Sequence, residues 1–284
     1  LPKDPLRLFI DAIAEVQRAM GFENEKDHPG NAPSQFELNY RYTQALLAAD
    51  QFQLYKLIAR QVAQNHGNTA SFLPQPLNGV SGSSVHCNVS FMKQGKNLFY
   101  DEKADHGIAQ MAWDCADRLV YHANETCLLF NSSVNAYRRY SQQNEMPNHI
   151  KVSMADRQAI VRIPPAKGES VRIEYRALAP DMNPYLAFYT LLTVSLEGQS
   201  EDPSVQEAKR QRTRFLPSNI YDAIRLFKSS DYMTELLSSE VKDSFAKQKS
   251  VVADRCPREH GEKVKTSEVT FHHEVTNQWL WSAF

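Results

Sequence analysis

Three short stretches of the sequence alternate polar with apolar residues, and each puts chemically able side chains on its polar side. Glu37 lies in Gln35–Tyr42, His86, Asn88 and Ser90 lie in Val85–Phe91, and Arg172, Glu174 and Arg176 lie in Val171–Arg176. That period of two is the period of a strand with two unlike faces. Ordinary solvent exposure would explain any one such face. Together they offer two carboxylates and an imidazole, donors suited to Mg2+ or Mn2+, cations that bridge protein oxygens and nucleotide phosphates. Arg139, Arg157, Arg162, Arg172 and Arg176 add planar guanidinium groups that pair with phosphate and carboxylate oxygens and keep their charge. The chemistry this set suggests is phosphoryl transfer onto a small acidic substrate.

Helices must frame those strands. Residues 5–20 read as an amphipathic helix, followed by a charged loop from Glu23 to Pro33. Leu46–Asn65 reads as a core helix on the spacing of Leu47, Leu54, Tyr55, Ile58 and Val62, with Gly67 just past its end. Residues 107–129 carry one long helical pattern, and Asn131–Asn148 reads as a polar segment. Strands at Gln158–Ile163 and Val171–Arg176 flank the hairpin-like loop PPAKGES. From Pro184 onward the pattern is mostly helical, with a charged connector at Glu201–Arg214.

The chain has 284 residues, 42% of them hydrophobic and 23% charged, enough to bury one large core or two modest ones. Its 32 basic and 33 acidic side chains nearly cancel, which argues against a nucleic acid or a membrane surface as partner. No apolar run approaches the roughly 20 residues that span a bilayer. Four cysteines without CxxC spacing point to reduced thiols and a cytoplasmic setting.

The ordered segments NAPSQFEL, LYKLIARQVAQNHGNTASFLPQPLNGVSGSSVHCNVSF, NSSVNAYRRY, DRQAIVRIP, RIEYR and NPYLAF closely resemble the catalytic domain of glutamine synthetases. The resemblance covers about residues 29–198 and is looser beyond. It implies an α+β fold, a curved antiparallel sheet surrounded by helices, with 1–284 as one catalytic domain, 1–198 the core of the site and 199–284 a C-terminal helical region. The implied activity is ATP-dependent ligation of ammonia or an organic amine to the γ-carboxyl of glutamate through a γ-glutamyl phosphate, in a homo-oligomeric ring. Carried over by position, Glu37, His86 and Glu174 become ligands of Mg2+ or Mn2+. Gly82, Arg139 and Arg176 would hold glutamate, while Asn88, Ser90, Arg162 and Arg172 would lie at ATP. Arg157 would stabilise the transferring phosphoryl group, and Glu145, on the family's flap, would act as base toward ammonium.

Departures are as informative. Where the family usually has a second metal-binding glutamate before the one at Glu37, this sequence has Gly30, and Glu23, Glu25 or Asp27 are the nearby carboxylates that could substitute. Ser81 and Asn88 stand where many members have Asn and some have His. The family also has an N-terminal β-domain and further metal-binding glutamates before the point at which this sequence starts. A non-catalytic relative that keeps the fold as a binding or structural protein is the alternative suggested by Gly30.

Overall fold

The computed structural model describes residues 6–77, 79–140, 146–200 and 214–254. Glu145, Cys256 and the connector at 201–213 therefore lie outside the described residues.

The chain opens with α1 (Arg7–Ala19), which turns Phe9, Ile10 and Ile13 inward. The expected charged loop is in part a strand, β1 (Asn24–Pro29), paired antiparallel with β2 (Phe36–Tyr40). The sequence NEKDHP hid it because neither face is apolar, and pairing with β2 supplies what side chains do not. α2 (Ala45–Asn65) follows and ends at Gly67, whose φ of +69° is the left-handed conformation that terminates a helix. Phe9, Ile13, Phe22, Ile58 and Val62 form a small core roofed by Phe36, Leu38 and Tyr40 of β2.

The larger core lies beneath a second sheet. β3 (Val85–Val89) leads into a tight hairpin of β4 (Met92–Lys93) and β5 (Lys96–Asn97). The long helical pattern is two helices, α3 (Gln110–Tyr121) and α4 (Ala123–Phe130), broken at His122. That ring is buried, is bonded to Glu125, accepts the amide hydrogen of Gln199 and stacks on Tyr232. The segment after Asn131, read as polar, holds α5 (Val134–Arg138), capped by the Ser133 hydroxyl, and buries Asn131, Asn135, Arg138 and Arg139. β6 (His149–Ser153), β7 (Ala159–Arg162) and β8 (Ile173–Leu178) complete a sheet in the order β3-β8-β7-β6.

The fold is α+β, as expected, but the sheet is mixed. β6 runs parallel to β7, and the other pairs are antiparallel. β6 went unread although HIKVS alternates polar with apolar residues, because it is short and directly follows the polar segment ending at Asn148. α3 packs directly on β6 and β7; α6 (Pro184–Glu197) packs on α2, α3 and α4, α7 (Ile220–Ser229) on α4, and α8 (Asp231–Leu237) and α9 (Ser239–Asp254) follow, with α9 against α7 and α8. α6 begins at Asn183, whose side chain accepts the amide hydrogens of Tyr185 and Leu186 at 3.0 and 3.2 Å. Among the described residues no helix is long and apolar enough to cross a membrane.

Candidate active site

The polar side of the larger sheet is built across β3, β8 and β7. Asn88, Glu174 and Arg162 stand in register on three adjacent strands. The β3–β8 register shifts between Val85 and Cys87, a bulge located at His86. Bulges re-aim side chains, and here the imidazole Nδ1 lies 3.4 Å from a Glu174 carboxylate oxygen. Tyr175 and Ile173 point to the other side, into the core.

Glu174 is the hub. Its two oxygens accept from Arg176 at 2.6 Å and from Arg162 at 2.9 Å, and the three side chains are only 9–20% exposed. Ordinary solvent exposure does not account for the polar face of β8: both faces are buried, and opposite charges pair there. The His86 imidazole has its pKa lowered, first by burial and then by the nearby Arg176 cation, against the opposing pull of Glu174 and Glu37. It stays neutral at pH 7, with a lone pair free to ligate.

The smaller sheet brings Glu37 toward this centre. Across β1–β2, His28 stands directly opposite Glu37, with Nε2 3.5 Å from a Glu37 oxygen and Nδ1 3.2 Å from the Pro29 carbonyl oxygen. The three nearby carboxylates have different surroundings. Glu23 pairs with Arg41 at 3.0 Å, Asp27 faces away opposite Leu38 and pairs with Arg7 at 2.7 Å, and Glu25 lies exposed at the bulge of β1. Among the described residues no three His, Cys, Asp or Glu side chains gather as a metal cluster; the donors come as two imidazole–carboxylate pairs.

A cross-link that sequence reasoning missed joins the two sheets. Gln35 donates from Nε2 to the Gly82 carbonyl at 3.0 Å and the Ser83 hydroxyl at 3.1 Å, while its Oε1 accepts the Ala32 amide hydrogen. Gly30 fits against the same side chain, since a Cβ there would come within 2.7 Å of Gln35 Cγ. Gly82 is tighter still. A Cβ would meet the Pro74 carbonyl and Gln75 Oε1 at 2.6 Å and Arg139 Cγ at 2.9 Å.

Arg139 is 1% exposed, and its guanidinium donates to Ser83 O, the Ser84 hydroxyl, Leu178 O and Asn131 Oδ1. In this arrangement it forms the floor beneath Gly82. Arg176 is 8% exposed, donates from Nη1 to Glu174, and its buried Nε has no partner among the described residues. Arg172 reaches Asn88 at 2.9 Å and Ser90 is half-buried just past β3. Arg157 is exposed in the turn before β7.

A family model described as glutamine synthetase, catalytic domain, matches residues 1–262. The chain belongs to the glutamine synthetase family. Among curated relatives, the glutamine synthetases of Clostridium saccharobutylicum and Thermus thermophilus are each 32% identical, over 83% of this chain and 56% of theirs. That of Staphylococcus aureus is 31% identical over 86% of this chain and 57% of its own. The chain thus spans about half the length of the curated relatives it matches. Among solved structures, a GmaS–ADP complex superposes with a TM-score of 0.79 at 26% identity, over 94% of this chain and 65% of that one. Ligand-free GmaS gives 0.78 at 28%, over 93% and 64%. Membership of the glutamine synthetase family is therefore the frame in which the two imidazole–carboxylate pairs are to be understood.

Proposed function

We propose that this glutamine synthetase family member uses ATP to join ammonia or a small organic amine to the γ-carboxyl of glutamate. The observation that carries the reading is the Glu174 hub, one carboxylate held between two arginines beside a neutral imidazole on a sheet face that opens toward Glu37. Membership of the family and a relative solved with ADP support it.

The donors fit divalent cations: carboxylate oxygens and imidazole nitrogens with lone pairs turned inward suit Mg2+ or Mn2+. Glu174 with His86 would hold one cation and Glu37 another. Bound there, the cations would neutralise phosphate charge as it develops. Arg162 and Arg176 now supply positive charge to Glu174, and both are within reach of an incoming anion once that carboxylate turns to a metal.

The glutamate γ-carboxylate oxygen attacks the terminal phosphorus of ATP and ADP departs, giving γ-glutamyl phosphate. The amine then attacks the acyl carbon and phosphate leaves. Arg176, with its unpartnered Nε, and the close-packed Gly82 backbone would receive glutamate, over the floor made by Arg139. Asn88, Ser90, Arg162 and Arg172 would line the nucleotide, and the exposed Arg157 would swing onto the transferring phosphoryl group. Glu145 remains the proposed base toward ammonium. The cytosol and a homo-oligomeric ring belong to the same proposal.

The test is ATP-dependent phosphate release with glutamate and a panel of amines, by the longest native form of the chain. Release that depends on ammonia or on one organic amine identifies the acceptor. No release with any amine would favour the non-catalytic reading, for which the missing carboxylate at Gly30 is the specific observation.

A further inference from the structure

We infer that His28 is a metal ligand: with Glu37 it forms the substrate-side cation site, replacing the carboxylate that Gly30 does not provide. The inference rests on the ligase reading for the cation's purpose, but its geometry stands alone. His28 Nδ1 lies 3.2 Å from the Pro29 carbonyl oxygen. A carbonyl can only accept, so Nδ1 carries a proton and donates it. In the neutral ring Nε2 is then bare, and it faces a Glu37 carboxylate oxygen at 3.5 Å. Two acceptors turned toward each other call for a positive charge between them. That spacing leaves room for a cation about 2.1 Å from each, the usual reach of a small divalent ion to oxygen or imidazole nitrogen.

The surroundings agree. An imidazole whose second nitrogen is anchored to a backbone carbonyl has its tautomer and its aim fixed, the arrangement found behind ligating histidines. The cross-strand register that sets His28 opposite Glu37 is made by backbone pairing, independent of either side chain. The other acidic side chains of this segment are committed elsewhere or turned away, Glu23 to Arg41 and Asp27 to Arg7. The pair also repeats the design of the other site, where His86 stands 3.4 Å from Glu174. Both sites then include one imidazole and one carboxylate from this chain.

The experiment is Mn2+ titration of the full chain without substrates, followed by electron paramagnetic resonance with detection of nitrogen-14 coupling. Two Mn2+ per chain are expected, each coupled to imidazole nitrogen. His28→Ala should lose one of them and half of the nitrogen signal, Glu37→Gln should lose the same one, and His86→Ala should retain the His28 signal. His28→Glu should regain the second Mn2+ without its nitrogen coupling. Two Mn2+ with undiminished nitrogen coupling in His28→Ala, or no nitrogen coupling from the His86→Ala protein, would overturn the inference and leave His28 an ion-pair partner of Glu37. An unaltered chain that binds two nitrogen-coupled Mn2+ yet releases no phosphate would overturn the ligase reading and leave this site standing.

Discussion

At the scale of residues, stability and chemistry separate cleanly. Among the described residues Glu174 is the counter-charge paired with two little-exposed guanidiniums, so Glu174→Ala leaves Arg162 and Arg176 facing each other. Breaking a buried pair from one side costs about 3–5 kcal/mol, and urea unfolding should register a loss of that order. Arg157 is exposed, and its replacement by Ala should shift stability by less than about 0.5 kcal/mol. If it meets the transferring phosphoryl group, the same variant should nevertheless lose most phosphate release, and a near-normal rate would remove Arg157 from the mechanism. Gly82→Ala lies between the two. Its Cβ would press on the Pro74 backbone oxygen, which cannot rotate away as a side chain can, so a cost of about 1–3 kcal/mol is expected, and the proposed ligase activity predicts a raised KM for glutamate.

At the scale of elements, α6 depends on its first turn. Asn183→Ala removes a side-chain oxygen that satisfies two amide hydrogens, which should cost about 1 kcal/mol in thermal or urea unfolding, whereas Asn183→Asp should preserve most of it. Helices and strands with one apolar face were legible in the sequence: α1, α2, β2 and β3 lie where hydrophobic spacing put them. β1 was not, since NEKDHP owes its structure to its neighbour's backbone. The break at His122 was invisible because apolar positions continue in step through α3 and α4, while the cause lies far along the chain in Gln199 and Tyr232. The site divides the same way. Strand alternation grouped His86 with Asn88 and Glu174 with the arginines, and the structure brings those groups together on adjoining strands. The burial of Arg139, the role of Gln35 and the pairing of His28 with Glu37 all depend on partners distant in sequence or across a turn, and composition carries no trace of them.

At the scale of the whole molecule, the core holds weak acids in their neutral form. Burial pushes the Cys87 and Cys127 thiols up to about 12 and the Tyr137 and Tyr175 phenols well above their ordinary value. In the unfolded chain the thiols ionise near pH 9. The fold therefore binds more protons than the unfolded state above that pH, and the stability these groups contribute below it falls as pH rises, by about 1.4 kcal/mol per pH unit for each such group. Tm should drop steadily from pH 9 to 11, and in a Cys256→Ser background the thiols should resist a disulfide reagent at pH 8 until the protein is denatured. The molecule also has two cores of unequal size, with α2 packed on both. The smaller one, under α1, β1 and β2, has far fewer buried side chains to hold it closed. Partial opening should begin there. Amide hydrogens of β1 and β2 should exchange with deuterium sooner than those of β7 and β8 on warming, and because Glu37 travels with the smaller core while Glu174 and His86 remain in place, heat should silence the protein's chemistry several degrees before the main body unfolds.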